Sequence, residues 1–155
     1  MLGIPLRWPS IVAAIMIGAV LGLGIFTFIY AEGFSYFSND PKACVNCHIM
    51  NDEYASWVKS PHHAVATCND CHVPHQLVPK LISKGRNGYN HSRAFTLQNF
   101  HEPIMITAHN ATILQENCLS CHGEFVWNML PGLSTDPDAV RCVHCHRGVG
   151  HGPVK

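Results

Sequence analysis

Cys-x-x-Cys followed at once by His occurs four times in the 155-residue chain: Cys44/Cys47 with His48, Cys68/Cys71 with His72, Cys118/Cys121 with His122, and Cys142/Cys145 with His146. The motifs take up all eight cysteines, leaving none for a disulfide or a reactive thiol. Two chemistries use such pairs. Zinc is held by paired cysteines, and the twenty residues between Cys47 and Cys68 fit a four-cysteine ribbon. A zinc ribbon, however, needs no His after each second Cys, and here one follows every time. Covalent haem attachment does need it, because two thiols bond the vinyl groups while the adjacent imidazole swings under the iron. The motifs therefore predict four haem c groups, and exclude zinc.

The motifs start at 44, 68, 118 and 142, a spacing of 24, 50 and 24 residues. That predicts two dihaem units, at about 44–76 and 118–151, joined by a longer middle segment. Haems held so closely along one chain pass electrons between them. They also supply apolar bulk to a region whose own apolar runs are short.

A low-spin haem takes a second strong ligand, and eight His lie outside the four motif positions. His151, five residues past His146, is too tightly tethered to reach the far face of its own haem and would ligate a neighbour. His63, or its neighbour His62, stands shortly before Cys68 and could serve in the same way. His101 and His109 lie in the middle segment with nothing to rank them, and His101 is carried as a candidate iron ligand. His144 sits between two motif cysteines and reads as structural; His75, after Pro74, reads as a polar neighbour. Met50, two residues past His48, is also too close to reach the opposite face of the first haem. It replaces His48, binds another haem, or packs as an ordinary apolar side chain.

The elements that position these sites begin with an anchor. No charged residue occurs from Trp8 to Ala31, and the twenty residues Ile11–Tyr30 match a hydrocarbon core of roughly 30 Å. Trp8 and Tyr30 stand at its ends, where aromatic rings favour the interface. Arg7 precedes it and Glu32 and Asp40 follow, so the positive-inside rule keeps the N-terminus in the cytoplasm. A cleaved signal peptide is the rival reading, but the apolar run is long and no small-x-small site follows. The expected organisation is a cytoplasmic segment 1–7, a transmembrane helix 8–31 in the inner membrane, and a periplasmic tetrahaem domain 32–155. The fold class is mainly α with much irregular loop.

Residues 77–89 place Leu77, Val78, Leu81, Ile82 and Tyr89 at helical spacing among Lys80, Lys84 and Arg86. Periodicity allows two readings: a basic amphipathic helix on anionic headgroups, or a haem-packing helix with a solvated charged face. Gly85, Gly88 and Asn90 are expected to end it. With 10 Lys+Arg against 10 Asp+Glu there is no basic excess for binding nucleic acid.

These features together resemble a known family. The anchor, the four motifs, Cys47-His48-Ile49-Met50, Cys71-His72-Val73-Pro74-His75, Cys145-His146-Arg147-Gly148-Val149-Gly150-His151 and the stretch Lys84–Thr96 are similar to the NapC/NirT cytochromes. Within that family they resemble the small, membrane-anchored subunit of cytochrome c nitrite reductase. The resemblance implies a menaquinol dehydrogenase that passes electrons to a periplasmic pentahaem nitrite reductase forming ammonium, in a hetero-oligomer. It implies that Met50 is the ligand of the first haem in place of His48, and that Lys80 lines the quinol pocket. Asn87 stands where the family commonly has an acidic residue, and with Lys80 it is a candidate quinol-pocket residue near the first haem. A His at position 151 and one near position 63 are axial ligands in the family, and one haem takes its distal ligand from the partner enzyme. Other roles stay open. The partner could be a hydroxylamine-oxidoreductase-like enzyme or another reductase, the chain could reduce a nitrogen oxide at an open haem, or it could be a docking or sensor subunit.

Overall fold

The computed structural model describes residues 7–130 and 140–152. Among them there are helices and 3-10 turns joined by loops, and no strand. The chain divides into two compact units, Met1–Ser35 and Tyr36–Lys155.

The first unit is built on α1 (Trp8–Tyr30). Pro9 falls in its first turn, where a missing N–H costs nothing. Every residue from Val12 to Tyr30 is exposed, so no protein surface covers its apolar side chains. At 1.5 Å per residue its 23 residues span roughly 35 Å, enough to cross a bilayer. The helix stops one residue before the expected 31. Glu32 turns into the left-handed region (φ 50°), and the Gly33–Phe37 3-10 turn folds back. Phe34 then packs edge-on against Phe28 at 5.0 Å, and a Cβ at Gly33 would overlap the Phe28 ring. This return explains why the first unit runs four residues past the expected boundary.

The second unit contains three short helices, α2 (Asn51–Val58), α3 (Cys68–His72) and α6 (Cys142–Cys145), and two long ones, α4 (Leu77–Leu97) and α5 (Ala108–Met129). Among the described residues only Val73 and Ile113 are buried apolar side chains. Its order rests instead on buried polar groups of α5. Asn117 Nδ2 donates to the carbonyls of Cys71 and Val73, both at 2.9 Å, and so fixes the second motif. Gln115 Nε2 donates to the Val140 carbonyl, and Gln115 Oε1 accepts from Cys142 N–H, both at 3.0 Å, which fixes the fourth. The third motif lies on α5 itself, two turns and more inside the helix. The long middle gap of the motif spacing is thus taken up by α4 and the first half of α5.

α4 does not end at the glycine cluster. It runs eight residues past Tyr89 and closes at Gln98, whose backbone is left-handed (φ 52°). Tertiary bonds override the weak local propensity. Lys84 Nζ donates to Ser38 O at 2.7 Å, Asn110 Nδ2 donates to Asn87 Oδ1 at 3.1 Å, and Tyr36 Oη lies 2.7 Å from His91 Nδ1. A Cβ at Gly88 would stand 3.4 Å from the Tyr36 ring, so helix and ring fit together there.

Two predictions follow from these bonds. Asn117→Ala leaves two carbonyls without their donor and should cost about 2–3 kcal/mol, read as a lowered thermal midpoint of the haem-loaded protein; an unchanged midpoint would remove the clamp. Asp70 accepts from the N–H and hydroxyl of Thr67 at 2.8 and 2.7 Å, starting α3. Burial opposes its ionised form, but the Thr67 bonds and the charges of His75 and Lys80 hold the carboxyl below its ordinary 3.8. The stability it adds is present above the unfolded pKa and lost as pH falls through the depressed folded value. Asp70→Asn should therefore flatten the acid-side loss of stability and leave neutral behaviour little changed, as acid titration by circular dichroism would report.

Candidate haem-binding site

Each motif presents its thiols from a tight helical turn. The first lies on two 3-10 turns, Pro41–Asn46 and His48–Met50, started by the Asp40 carboxylate, which accepts from Lys42 N–H at 2.9 Å. With three residues per 3-10 turn, side chains two apart diverge by roughly 120°. His48 and Met50 therefore cannot both point under one macrocycle. The second and fourth motifs are the short helices α3 and α6.

The thiols meet in pairs. Cys44 and Cys68 face one another within hydrogen-bonding reach, as do Cys118 and Cys142. The bond from Cys68, and then the nearby Lys84 charge, draw Cys44 down to about 7 against the effect of burial, while the same bond pushes Cys68 up. Burial, followed by the charge of Cys142, raises Cys118 to about 11. The first motif thus adjoins the second, and the third adjoins the fourth. Asn69, an x residue of the second motif, reinforces the first pairing by donating to Ser38 O at 3.1 Å and to Asn39 Oδ1 at 3.0 Å.

The sequence treats the two cysteines of a motif alike, and here the structure differs. Cys47, Cys121 and Cys145 are exposed, whereas the first cysteine of each motif is half-buried. Cys121 stands outside the Cys118/Cys142 pairing. Three residues along α5 carry it a turn onward and roughly 60° around the helix from Cys118. Its Sγ lies 3.8 Å from the Ser120 hydroxyl. On its other side it approaches the second motif, since burial, then Asp70, then Cys121 raise Cys71. Cys121 is thus near the second motif as well as on α5, and its exposed side leaves room for a macrocycle to bond it.

Two motif imidazoles each face a second one. The His72 and His151 ring centroids are 5.9 Å apart, and those of His122 and His62 are 6.0 Å apart. Two imidazoles sharing one metal ion, with metal–nitrogen bonds of roughly 2 Å on each side and ring radii of about 1 Å, lie at that separation. The non-motif rings are held for such a role. His62 Nδ1 bonds Val149 O at 3.3 Å, and His151 Nδ1 bonds Glu53 O at 3.1 Å, with the Glu53 carboxylate at 3.2 Å. An Nδ1–H spent on a carbonyl leaves the Nε2 lone pair for a metal. Burial, and then the charge of His151, lower His72 to about 4, keeping it in the neutral form that can ligate.

The residues fit haem c. Four thiol pairs project beside imidazoles, and two rings stand opposite motif rings at the spacing of a shared iron. Among the described residues no three His, Cys, Asp or Glu converge as a compact cage of the kind zinc requires. The model of the NapC/NirT cytochrome c family, N-terminal region, matches residues 6–122. The chain belongs to this family. Cytochrome c-type protein NrfH of Wolinella succinogenes is 40% identical over 146 residues, covering 87% of this chain and 82% of that protein. Cytochrome c nitrite reductase subunit NrfH of Nitratidesulfovibrio vulgaris is 31% identical, covering 95% and 88%. A crystal structure of a cytochrome c nitrite reductase NrfHA complex bound to the HQNO inhibitor matches with a TM-score of 0.65 at 27% identity, covering 92% of both chains.

As a NapC/NirT cytochrome the chain is a membrane-anchored electron-transfer protein with covalently bound haem c. The structure sorts the residues singled out from the sequence. His151 and His72 come together. His63 instead lies edge-on to Trp57 at 4.7 Å, and it is His62 that meets His122. His101 is exposed between α4 and α5 and faces no motif ring among the described residues. His146 likewise faces no second imidazole among them, within an exposed run from His144 to Arg147. The charge of Lys80 helps to hold the Asp70 carboxyl ionised, whereas Lys84 is the cation near Cys44. Asn87 is engaged by Asn110.

Sequence reasoning passed over Glu53, Tyr36, Gln115 and Asn117. Nothing local marks the last two as clamps, although an amide one residue before a motif cysteine was a signal to weigh. Burial, followed by the charges of Cys47 and Cys44, raises the Tyr36 phenol to about 12, so it stays a neutral partner for His91 next to the first motif. His62→Ala should convert one haem from low spin to high spin in electron paramagnetic resonance, while His63→Ala should leave the spectrum unchanged. Equal effects of the two would sink the distinction.

Proposed function

We propose that the chain is a menaquinol dehydrogenase of the inner membrane, carrying four haem c groups and feeding a periplasmic pentahaem nitrite reductase that forms ammonium. The observation that carries the relay is the pair of opposed imidazoles, His72/His151 and His62/His122, beside thiol pairs that bring the four motifs together two by two. The likeness to a cytochrome c nitrite reductase subunit, and to a chain of a nitrite reductase NrfHA complex, supports the nitrite reductase partner. Arg7 before the span, with Glu32 and Asp40 after it, supports an N-terminus in the cytoplasm and a haem domain in the periplasm.

Haem c, when bound, supplies reversible one-electron chemistry at iron. The thiols Cys44/Cys47, Cys68/Cys71, Cys118/Cys121 and Cys142/Cys145 fix its four copies. His72 with His151, and His122 with His62, would ligate two of the irons. Met50 would hold the first in place of His48, and a thioether there would raise the potential. His146 holds the fourth, and its exposed surroundings suit a second ligand from the partner enzyme.

Menaquinol gives up two electrons and two protons on becoming menaquinone. Lys80 donates a hydrogen bond to a quinol oxygen and steadies the charge left as its proton departs. Asn87 cannot take that proton, since an amide does not titrate in this range and its Oδ1 already accepts from Asn110. His91 can. Partial desolvation keeps its imidazole below the usual range and hence neutral, and Tyr36 holds it beside the first motif.

Menaquinol-driven haem reduction in vesicles tests the proposal. Lys80→Ala should lower its rate at least tenfold with haem content and dithionite-reduced spectrum unchanged. An unaltered rate would remove Lys80 from the quinol site, and no reduction by menaquinol in the parent protein would overturn the proposal.

A further inference from the structure

α4 is amphipathic in an inverted sense for a helix packed on a domain. The side turned inward is polar. Ser83 and Lys84 are its only buried residues, Lys84 bonds Ser38 O, Asn87 meets Asn110, and His91 meets Tyr36. The apolar side faces outward. Leu77, Val78, Leu81, Ile82 and Tyr89 fall within an arc of roughly 140° that barely overlaps the polar one, and Leu77, Ile82 and Tyr89 are 70%, 66% and 69% exposed. The first and second motifs lie toward the polar side: Lys84 of α4 and Asn69 of the second motif both donate to Ser38 O, just before the first motif. The apolar arc is thus turned away from those motifs.

Charge identifies what covers it. α4 carries Lys80, Lys84, Arg86 and Arg93 and no acidic residue, in a chain whose 10 Lys+Arg and 10 Asp+Glu balance overall, so the rest of the chain is acidic. Arg86 and Arg93 are exposed along the border of the apolar arc. The segment to which α4 is bonded, Tyr36–Ser38, begins six residues after the last turn of α1, so the chain there is within roughly 20 Å of the bilayer even if fully extended. An apolar stripe bordered by cations and tipped with a tyrosine has the composition of a helix lying in a membrane interface.

We propose that α4 is a second, peripheral membrane contact: its Leu77/Val78/Leu81/Ile82/Tyr89 face lies in the headgroup–acyl boundary of an anionic leaflet, with Arg86 and Arg93 on the lipid phosphates. The assignment does not depend on the identity of the electron donor or acceptor.

The full-length haem-loaded protein in phosphatidylglycerol-containing nanodiscs, doped with a lipid bearing a diazirine at the top of its acyl chain, gives the test. After photolysis, peptides from α4 should carry label and peptides from α5 should not, with α1 labelled throughout as the internal reference. Leu81→Glu with Ile82→Glu should reduce α4 labelling by about fivefold or more at unchanged α1 labelling and haem content. Arg86→Ser with Arg93→Ser should remove the excess of α4 labelling over that in phosphatidylcholine discs. Labelling of α4 no greater than that of α5, or unaffected by the glutamates, would overturn the proposal. So would α4 that takes no lipid label but becomes protected from a soluble carbene reagent on adding the partner reductase, since the face would then belong to a protein.

Discussion

Two buried amides on one helix hold the haem domain to its shape. Asn117 and Gln115 reach in different directions from α5, one to the carbonyls after Cys71 and the other to the backbone on either side of Arg141. A domain whose described residues bury only two apolar side chains has little else to fix the relative places of its motifs. Amides suit the task because each presents a donor and an acceptor to backbone groups left over at the ends of very short helices. α3 and α6 are only five and four residues long and satisfy few of their own carbonyls and N–H groups. The weakness of those helices and the strength of the clamp are one arrangement seen from two sides.

The same economy governs the imidazoles. His62 and His151 come from opposite ends of the domain's sequence, and each is oriented by a carbonyl far along the chain. Val149, near His151, orients His62; Glu53, before His62, orients His151. The two ligand candidates are therefore held by reciprocal contacts between the same two segments, and a shift of one segment disturbs both.

How much of this was legible in the sequence follows from how local each feature is. The attachment motifs and the anchor were readable because the information lies within five and some twenty consecutive residues. The unequal exposure of Cys118 and Cys121 was not, because it depends on which side of α5 the fourth motif packs. The choice between His62 and His63 was hidden too, since it turns on which ring Trp57 takes and which meets a helix far along the chain. The end of α4 was misplaced for a related reason. Gly85, Gly88 and Asn90 are weak helix formers alone, but Tyr36 and Ser38 supply contacts that periodicity cannot register. The face that α4 turns inward was open on pattern alone as well, since a wheel shows two sides without saying which one the protein keeps. The family resemblance supplied Met50 and Lys80 as site residues, whereas Lys84 beside Cys44 emerged only from the folded chain.

The reciprocal contact between the His151 and His62 segments also orders assembly in time. In the proposed ligand set the iron under His72 is finished by a residue made much later in the chain, so an early motif waits for the tail before its coordination closes. Until then the His62 ring lacks the carbonyl that aims it. Order around the early motifs therefore waits on the last residues of the domain, because His62 and His151 are aimed by contacts between the same two segments.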